Sequence, residues 1–210
     1  KVSESNRLAK ELVEKNLNTK KLSFEFLDMT DQSMVHLAKL KKVEELSLAH
    51  TRISNTGLKY LSELPLSGLN LTNTNIDSDG LKEIAKLKNL GYLNLSDTDV
   101  DDEGLRLLAG LADLSDLNLS ATKVTDRGLP LLLTHQPMWK LVLLNTNVTD
   151  SGMNSVAKLK NLECLDLDST AVTIVGLRVL SKCAKLRTLH VQNCRFNDQD
   201  AGQNIRQRLL

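Results

Sequence analysis

Leucine recurs along this chain with a spacing of about 24 residues. The stretch 93–105 reads Leu-Asn-Leu-Ser-Asp-Thr-Asp-Val-Asp-Asp-Glu-Gly-Leu, and the stretch 117–129 follows the same frame. The first leucine of each frame lies at Leu22, Leu46, Leu69, Leu93, Leu117, Leu141, Leu165 and Leu189. Every step is 24 residues except the step of 23 that contains Pro65. A fixed period of this length predicts a solenoid, in which each unit completes the core of its neighbour.

Within each unit, the pattern predicts a short strand followed by a short helix. Two leucines separated by one residue indicate a strand, because alternate residues of a strand face the same side. A good helix N-cap residue follows each strand. These residues are Thr30, Ser54, Asp77, Asp101, Thr125, Thr149, Thr173 and Asn197. Apolar triplets such as Leu105, Leu108 and Leu111 then indicate one face of about two helical turns.

Glycine and threonine form two further columns. Single glycines three residues after the N-caps are expected to let neighbouring helices approach closely. They are Gly57, Gly80, Gly104, Gly128, Gly152 and Gly176. The threonines, which end in Cys194, are expected to point inward and to supply hydrogen bonds to backbone groups at each turn. They are Thr51, Thr74, Thr98, Thr122, Thr146 and Thr170, and Leu27 takes this place in the first unit.

The two ends of the chain depart from the repeat. Residues 5–15 predict a helix with Ser5 as N-cap and with Leu8, Leu12 and Val13 on one face. We expect residues 1–18 to cover the apolar end of the solenoid, residues 19–196 to form the repeats, and residues 197–210 to form a degenerate cap. All three belong to one domain. Ala201 and Gln203 replace apolar residues in the last unit, and His135 before Pro137 predicts a helix that ends early.

Composition excludes several classes of partner. With 27 basic and 26 acidic residues, the chain has no electrostatic footprint for nucleic acid or an anionic membrane. No apolar run approaches the roughly 18 residues of a membrane span. Cys164, Cys183 and Cys194 are odd in number and lie in different slots of the repeat, so we expect free thiols in a reducing compartment, the cytoplasm. The chain begins at Lys1, so an upstream targeting segment could be absent from it.

The frame Leu-x-x-Leu-x-Leu-x-x-(Asn/Cys/Thr)-x-hydrophobe resembles that of the leucine-rich repeat family over almost the whole chain. The segment Val124–Leu129 is similar to the helical class found in bacterial leucine-rich proteins and in F-box-associated and ribonuclease-inhibitor-like eukaryotic proteins. The resemblance implies an α/β fold, a right-handed horseshoe of about eight repeats with parallel strands on its concave face and short helices on its convex face. It also implies that the concave face binds other proteins.

The outward positions of the strands are the candidate site. Val142 and Leu144 are predicted to point out together beside Asp166, Asp168 and His190, and an apolar pair rimmed by charge is typical of an interaction anchor. Chance variation on a solvated sheet, or packing within the sheet, is the alternative. The predicted partner-binding residues are Tyr92, Asn118, Lys140, Val142, Leu144, Cys164, Asp166, Asp168 and His190.

The functional prediction is a monomeric, non-catalytic scaffold for another protein, without cofactor. The alternative is the substrate-recognition or adaptor part of a larger protein, such as a ubiquitin-ligase subunit or a bacterial effector. Asp166, Asp168 and His190 could in principle hold a metal or act in hydrolysis, but no catalytic motif supports that. The acidic run 97–103 is spaced like the start of an EF-hand, yet Asp102 stands at the required glycine and Leu108 at the required glutamate.

Overall fold

The computed structural model describes residues 4–134 and 137–195 of the chain. Eight three-residue strands form one parallel sheet, and they lie in chain order. The strands are β1 (Lys21–Ser23), β2 (Glu45–Ser47), β3 (Gly68–Asn70), β4 (Tyr92–Asn94), β5 (Asp116–Asn118), β6 (Lys140–Val142), β7 (Cys164–Asp166) and β8 (Thr188–His190). Leu46 pairs with Leu69 across β2 and β3, so the short step leaves the register unchanged. The predicted α/β solenoid is confirmed.

The second layer consists of short α-helices and 3-10 turns. The helices are α1 (Glu4–Lys15), α2 (Asp31–Met34), α3 (Leu81–Ile84), α4 (Asp102–Leu108), α5 (Asp150–Val156) and α6 (Ile174–Val179). The 3-10 turns are Leu37–Lys39, Leu58–Leu61, Ser78–Gly80, Leu129–Thr134 and Leu180–Lys182. Several of these segments are shorter than the two helical turns that the apolar triplets predicted, because the chain must return to the next strand within each 24-residue unit. None of the described helices is long and apolar enough to cross a membrane.

One continuous apolar core fills the space between the two layers, from Ala9 to Leu189. The paired leucines of each strand point into it. In β6 and the residue after it, Leu141 and Leu143 are fully buried, whereas Val142 and Leu144 are only half-buried. This alternation is the period of two that a strand imposes, and it places the intervening side chains on the concave face.

Helix α1 packs against the first repeat through a face that differs slightly from the predicted one. Ala9 and Val13 are buried, Leu12 is half-buried, and Leu8 is exposed. Ser5 lies inside the helix rather than at its N-cap, and its hydroxyl donates to the Asp28 carboxylate at 3.0 Å. The buried pair is spaced by four residues, which places both side chains on the same face of the helix. The predicted slots of His135, Asn197, Ala201 and Gln203 lie outside the described residues.

The threonine column forms a ladder of buried hydrogen bonds. The Thr122 hydroxyl donates to the Leu119 carbonyl at 2.7 Å, within the same turn. The same bond, at 2.6 or 2.7 Å, recurs at Thr51, Thr74, Thr98, Thr146 and Thr170. Cys194 continues the column, and its thiol donates to the Leu167 carbonyl at 3.1 Å. The predicted inward hydroxyls are confirmed.

A second ladder joins the helix N-termini of successive repeats. The Asp126 carboxylate accepts the backbone N–H of Thr149 at 2.8 Å and its hydroxyl at 2.6 Å. The same pairing occurs at Asp31–Ser54, Asp102–Thr125 and Asp150–Thr173. Where the N-cap is itself an aspartate, the preceding repeat supplies a donor instead, at Asn55–Asp77 and Ser78–Asp101. Donor and acceptor therefore exchange sides, which avoids placing two carboxylates together.

The glycine column makes room for this second ladder. A Cβ atom on Gly152 would lie 2.5 Å from Asp126 Oδ1 and 2.5 Å from Leu129 Cδ1 of the preceding repeat. The predicted close approach at the glycines is thus present, although the contacting groups at Gly152 are side chains rather than helix backbone. Any larger residue at this position would displace the carboxylate that binds Thr149.

Candidate functional site

The register of the sheet aligns the outward side chains into columns along the concave face. Asn118 lies opposite Val142, Val142 opposite Asp166, and Asp166 opposite His190. Lys140 similarly lies between Asp116 and Cys164. The structure therefore brings most of the predicted site residues together on four adjacent strands, β5 to β8, and the turns that follow them. Tyr92 is the exception, because it lies on β4, outside this group.

Most residues in the middle column are tied to their own backbone. In five repeats, a side-chain oxygen accepts the N–H of the residue two positions on, at 2.9 to 3.2 Å. The acceptors are Ser23, Asn70, Asn94, Asn118 and Asp166. Val142 takes this place in the sixth repeat and has no oxygen to offer. The sixth repeat thus replaces a self-satisfied polar side chain with an apolar one that is half-buried and open to the concave face.

Carboxylates flank this apolar pair on both sides. On β5, the Asp116 carboxylate pairs with the Lys140 ammonium at 3.3 Å, and both side chains are largely covered. On the other side, Asp166 accepts the Asp168 amide at 2.9 Å, and Asp168 accepts the Gln192 amide. These backbone bonds hold both carboxylates in place on the face. The surface around the pair therefore carries three aspartates and one lysine.

Cys164 and His190 complete the neighbourhood without forming a reactive centre. Burial raises the pKa of the Cys164 thiol; the Lys140 ammonium opposes this, and the carboxylates of Asp166 and Asp116 add to it. Cys164 is thus a neutral thiol at pH 7 and a poor nucleophile. Within residues 4–134 and 137–195, no three His, Cys, Asp or Glu side chains are grouped to hold a metal ion.

The acidic run 97–103 has a structural role. The Asp101 carboxylate caps α4 by accepting the amides of Glu103 and Gly104. The Ser78 hydroxyl and these amides hold the pKa of Asp101 below its ordinary value, against the opposing effect of burial. Lys123 pairs with Asp99 at 2.7 Å. The run is thus occupied by capping and ion pairing.

Trp139, the single tryptophan of the chain, was missed by the sequence analysis. It directly precedes β6, it is 43% exposed, and the Lys140 ammonium lies 5.9 Å from its ring centre. Its backbone is fixed from both sides, because its N–H bonds to Ser115 and its carbonyl accepts the amides of Glu163 and Cys164. The signal was available, since the same place in other repeats holds small or charged residues.

A shallow depression of about 380 Å³ lies at the other end of the concave face. It exists because Gly68 has no side chain between Glu45 and Tyr92. The Lys21–Glu45 ion pair, 2.7 Å long, borders it. Tyr92 is the predicted site residue that lines it. This depression is separate from the apolar pair, because none of its lining residues belongs to β6.

Comparisons with known proteins agree with this architecture. A family model described as Leucine Rich repeat matches residues 39–62 and 86–109. The fold is similar to that of an internalin (inlF) from Listeria monocytogenes, with 19% identity, a TM-score of 0.66, and coverage of 78% of this chain and 46% of that chain. It is also similar to internalin C2 (inlC2) of the same organism, with 21% identity, a TM-score of 0.72, and coverage of 95% and 88%.

The chain therefore spans less than half the length of the first of these internalins. No curated protein sequence matches the chain. The matched repeats and the eight-stranded parallel sheet agree with the frame read from the sequence. The two matched segments and the fold are similar to those of leucine-rich-repeat proteins.

Proposed function

We propose that this chain is a non-catalytic scaffold that binds another protein on its concave face, with Val142 and Leu144 as the anchor. The observation that supports this is the half-buried apolar pair on a face whose other repeats carry almost only small or polar side chains. Desolvation of such a pair at the centre of an interface can contribute a few kcal/mol to binding. We also propose that the chain acts as a monomer in a reducing compartment such as the cytoplasm. The three free cysteines support the reducing compartment.

The carboxylates around the pair would orient the partner rather than anchor it. Charges at the rim of an interface mainly affect the association rate and its salt dependence. We therefore expect Asp168→Asn, which keeps an oxygen for the Gln192 amide, to weaken binding less than loss of the apolar pair. The affinity of this variant should also depend less on salt concentration than that of the wild type.

The experiment is an affinity capture with the double variant Val142→Ser plus Leu144→Ser. We expect proteins captured by the wild type to be lost, while the circular dichroism spectrum stays unchanged, because neither side chain belongs to the buried core. The matched control is Val35→Ser plus Val175→Ser, which removes two exposed apolar side chains from other surfaces. Normal capture by the Val142–Leu144 variant would refute the concave anchor and direct attention to the helices or the loops.

A further inference from the structure

At three positions of the repeat, those of Trp139, Val142 and Leu144, large apolar residues occur in one repeat only. Every other repeat has charged, polar or small residues at these positions, with Ala49 the largest apolar one. Tyr92 is the large side chain of the remaining outward column and lies on β4. All three substitutions fall together on and around β6. Independent drift of a solvated surface would scatter such residues among repeats, so their coincidence indicates one contact surface.

These three residues belong to one segment of the chain, which runs through β6 and therefore crosses the row of strands. The segment begins one residue before β6, at Trp139, and ends two residues after it, at Leu144. Trp139 lies at the edge where the chain enters the sheet, and Leu144 lies near the opposite end of the strand. We call these three residues the repeat-6 stripe.

The charges beside the repeat-6 stripe are predominantly negative. Asp116 lies on the β5 side, and Asp166 and Asp168 lie on the β7 side. Lys140 is the only cation of these strands close to the stripe among the described residues, and it is already paired with Asp116. A partner that covers the stripe must therefore approach two carboxylates on the β7 side, which favours a cationic partner.

We propose that the repeat-6 stripe receives a protein segment with an apolar ridge flanked by lysine or arginine, which crosses the sheet along β6 and reaches over its edge onto Trp139. The proposal rests on the proposed function and adds the direction and the chemistry of the partner. The ridge covers Val142 and Leu144, the basic side chains face Asp166 and Asp168, and the Trp139 ring packs against the end of the segment. Trp is the residue type most enriched among dominant interface contacts, together with Tyr and Arg.

The single tryptophan makes this proposal directly measurable. Any segment that covers the edge of β6 must remove Trp139 from water, and its fluorescence emission then moves to shorter wavelength. The probe is a phage-displayed library of random peptides, selected on the full 210-residue chain. Selected peptides are synthesised and titrated while Trp139 emission is recorded. We expect the selected sequences to combine apolar residues with Lys or Arg, and their affinity to fall as salt concentration rises.

Variants separate this proposal from the proposed function. We expect Trp139→Ala to weaken peptide binding about tenfold or more, and Trp139→Phe to recover most of the affinity. The charge variant Asp166→Asn plus Asp168→Asn should weaken binding to basic peptides and lower its salt dependence. Asn keeps the oxygen that accepts the neighbouring amide, so the backbone contacts are retained. The control is again Val35→Ser plus Val175→Ser, which should leave the peptide affinity unchanged.

The outcomes are distinct. One outcome would overturn the contact with Trp139 and leave the concave anchor intact. In it, peptides fail to bind the Val142→Ser plus Leu144→Ser variant, bind Trp139→Ala as tightly as the wild type, and do not shift Trp139 emission. Acidic or uncharged selected peptides, or none, would overturn the partner chemistry. Peptides insensitive to every concave variant would overturn both proposals. A blue shift that depends on protein concentration alone would assign the stripe to a second copy of this chain and overturn the proposal.

Discussion

A left-handed residue precedes the threonine position in each repeat, and its identity varies. The positive φ values, between 50° and 59°, occur at Phe26, His50, Asn73, Asp97, Ala121, Asn145, Ser169 and Asn193. The turn requires this conformation, because the N–H of the residue reaches the next repeat, as from Ala121 to the Leu144 carbonyl at 2.8 Å. Asn and Asp tolerate it best among residues with a side chain, whereas other residues strain the backbone.

Two consecutive repeats carry aromatic rings at this strained place. Phe26 is 73% exposed and stacks on His50, with ring centres 4.4 Å apart and planes inclined by 6°. Such a stack contributes roughly 0.5–1.5 kcal/mol beyond area burial, which offsets part of the backbone cost. The stack lies in the turns that follow β1 and β2, at the first end of the sheet and far along it from the repeat-6 stripe.

Replacement of Ala121 by Asn should stabilise the protein. Asn relieves the left-handed backbone at φ 52°, and we expect the free energy of unfolding to rise by about 0.5–1 kcal/mol. The midpoint of urea unfolding measures the change. The control is Ala121→Val, whose β-branched side chain should lower the midpoint. A lower midpoint for Ala121→Asn would mean that this turn is not strained.

Removal of the Thr122 hydroxyl should destabilise the protein. Thr122→Val keeps the volume but leaves the buried Leu119 carbonyl without its donor at 2.7 Å. The carbonyl still accepts the Thr122 amide at 3.3 Å, so we expect a loss near the lower end of the range of about 1–3 kcal/mol. Thr122→Ser retains the hydroxyl and should cost less. Equal stability of Thr122→Val and the wild type would mean that the threonines contribute through their shape and not through their hydroxyl bonds.

At the scale of the element, each helix N-terminus depends on the repeat before it. Thr149 donates two bonds to the Asp126 carboxylate, one from its backbone N–H and one from its hydroxyl. The same hydroxyl caps α5 by accepting the Ser151 amide at 3.2 Å. A helix N-cap normally satisfies only its own helix. Here the cap is itself held by a side chain of the preceding repeat. The short helices thereby gain a fixed starting point that their few residues could not supply by propensity alone.

Removal of the Asp126 carboxylate should destabilise the start of α5. Asp126→Ala removes the acceptor of the Thr149 amide, and we expect a loss of about 1 kcal/mol or somewhat more in the free energy of unfolding. Asp126→Asn should retain most of the stability, because an Asn oxygen can accept the Thr149 backbone N–H as Asn55 accepts that of Asp77, and the Asn amide can donate to the Thr149 hydroxyl oxygen. Hydrogen exchange of the Thr149 amide provides a local measurement. If Asp126→Ala and Asp126→Asn lose equal stability, the ladder contributes nothing beyond surface charge.

The sequence predicted the strands, the buried leucines and the threonine bonds because these depend on short-range periodicity. Val142 and Leu144 were found the same way, since their parity follows from Leu141 and Leu143. The ladder between repeats escaped, because Asp126 and Thr149 are each ordinary residues for a helix start and their pairing depends on tertiary stacking. Trp139 escaped because it precedes the alternating positions. The buried face of α1 differs from the predicted one, because burial of Ala9 depends on the repeat that it contacts.

At the scale of the whole molecule, the first repeat has different surroundings from the internal repeats. An internal repeat packs between two neighbours, whereas the first repeat has α1 in place of an outer neighbour. We propose that α1 is the cap that covers the apolar end. Terminal repeats of solenoids need such covers for solubility, and the buried Ala9 and Val13 supply the apolar contact here.

Deletion of residues 1–17 should therefore cause aggregation or local unfolding of the first repeat. Light scattering measures the first outcome, and hydrogen exchange at β1 measures the second. The control is Leu8→Ser, which changes an exposed residue of α1 and should leave solubility unchanged. If the truncated chain melts at the same temperature as the intact one and stays soluble, α1 is not a cap.

The exchange of donors and acceptors between repeats also restricts how such a chain can change its length. Solenoids grow and shrink when recombination adds or removes whole units, yet the units here are not equivalent at their junctions. Loss of the unit that contains Ser54 and Asn55 would place Asp31 against Asp77, two carboxylates at one helix start. Loss of the unit that contains Thr125 and Asp126 would place Asp102 against Thr149, a matched pair. Gene rearrangements that remove the latter unit would preserve the junction chemistry, whereas those that remove the former would need a second mutation.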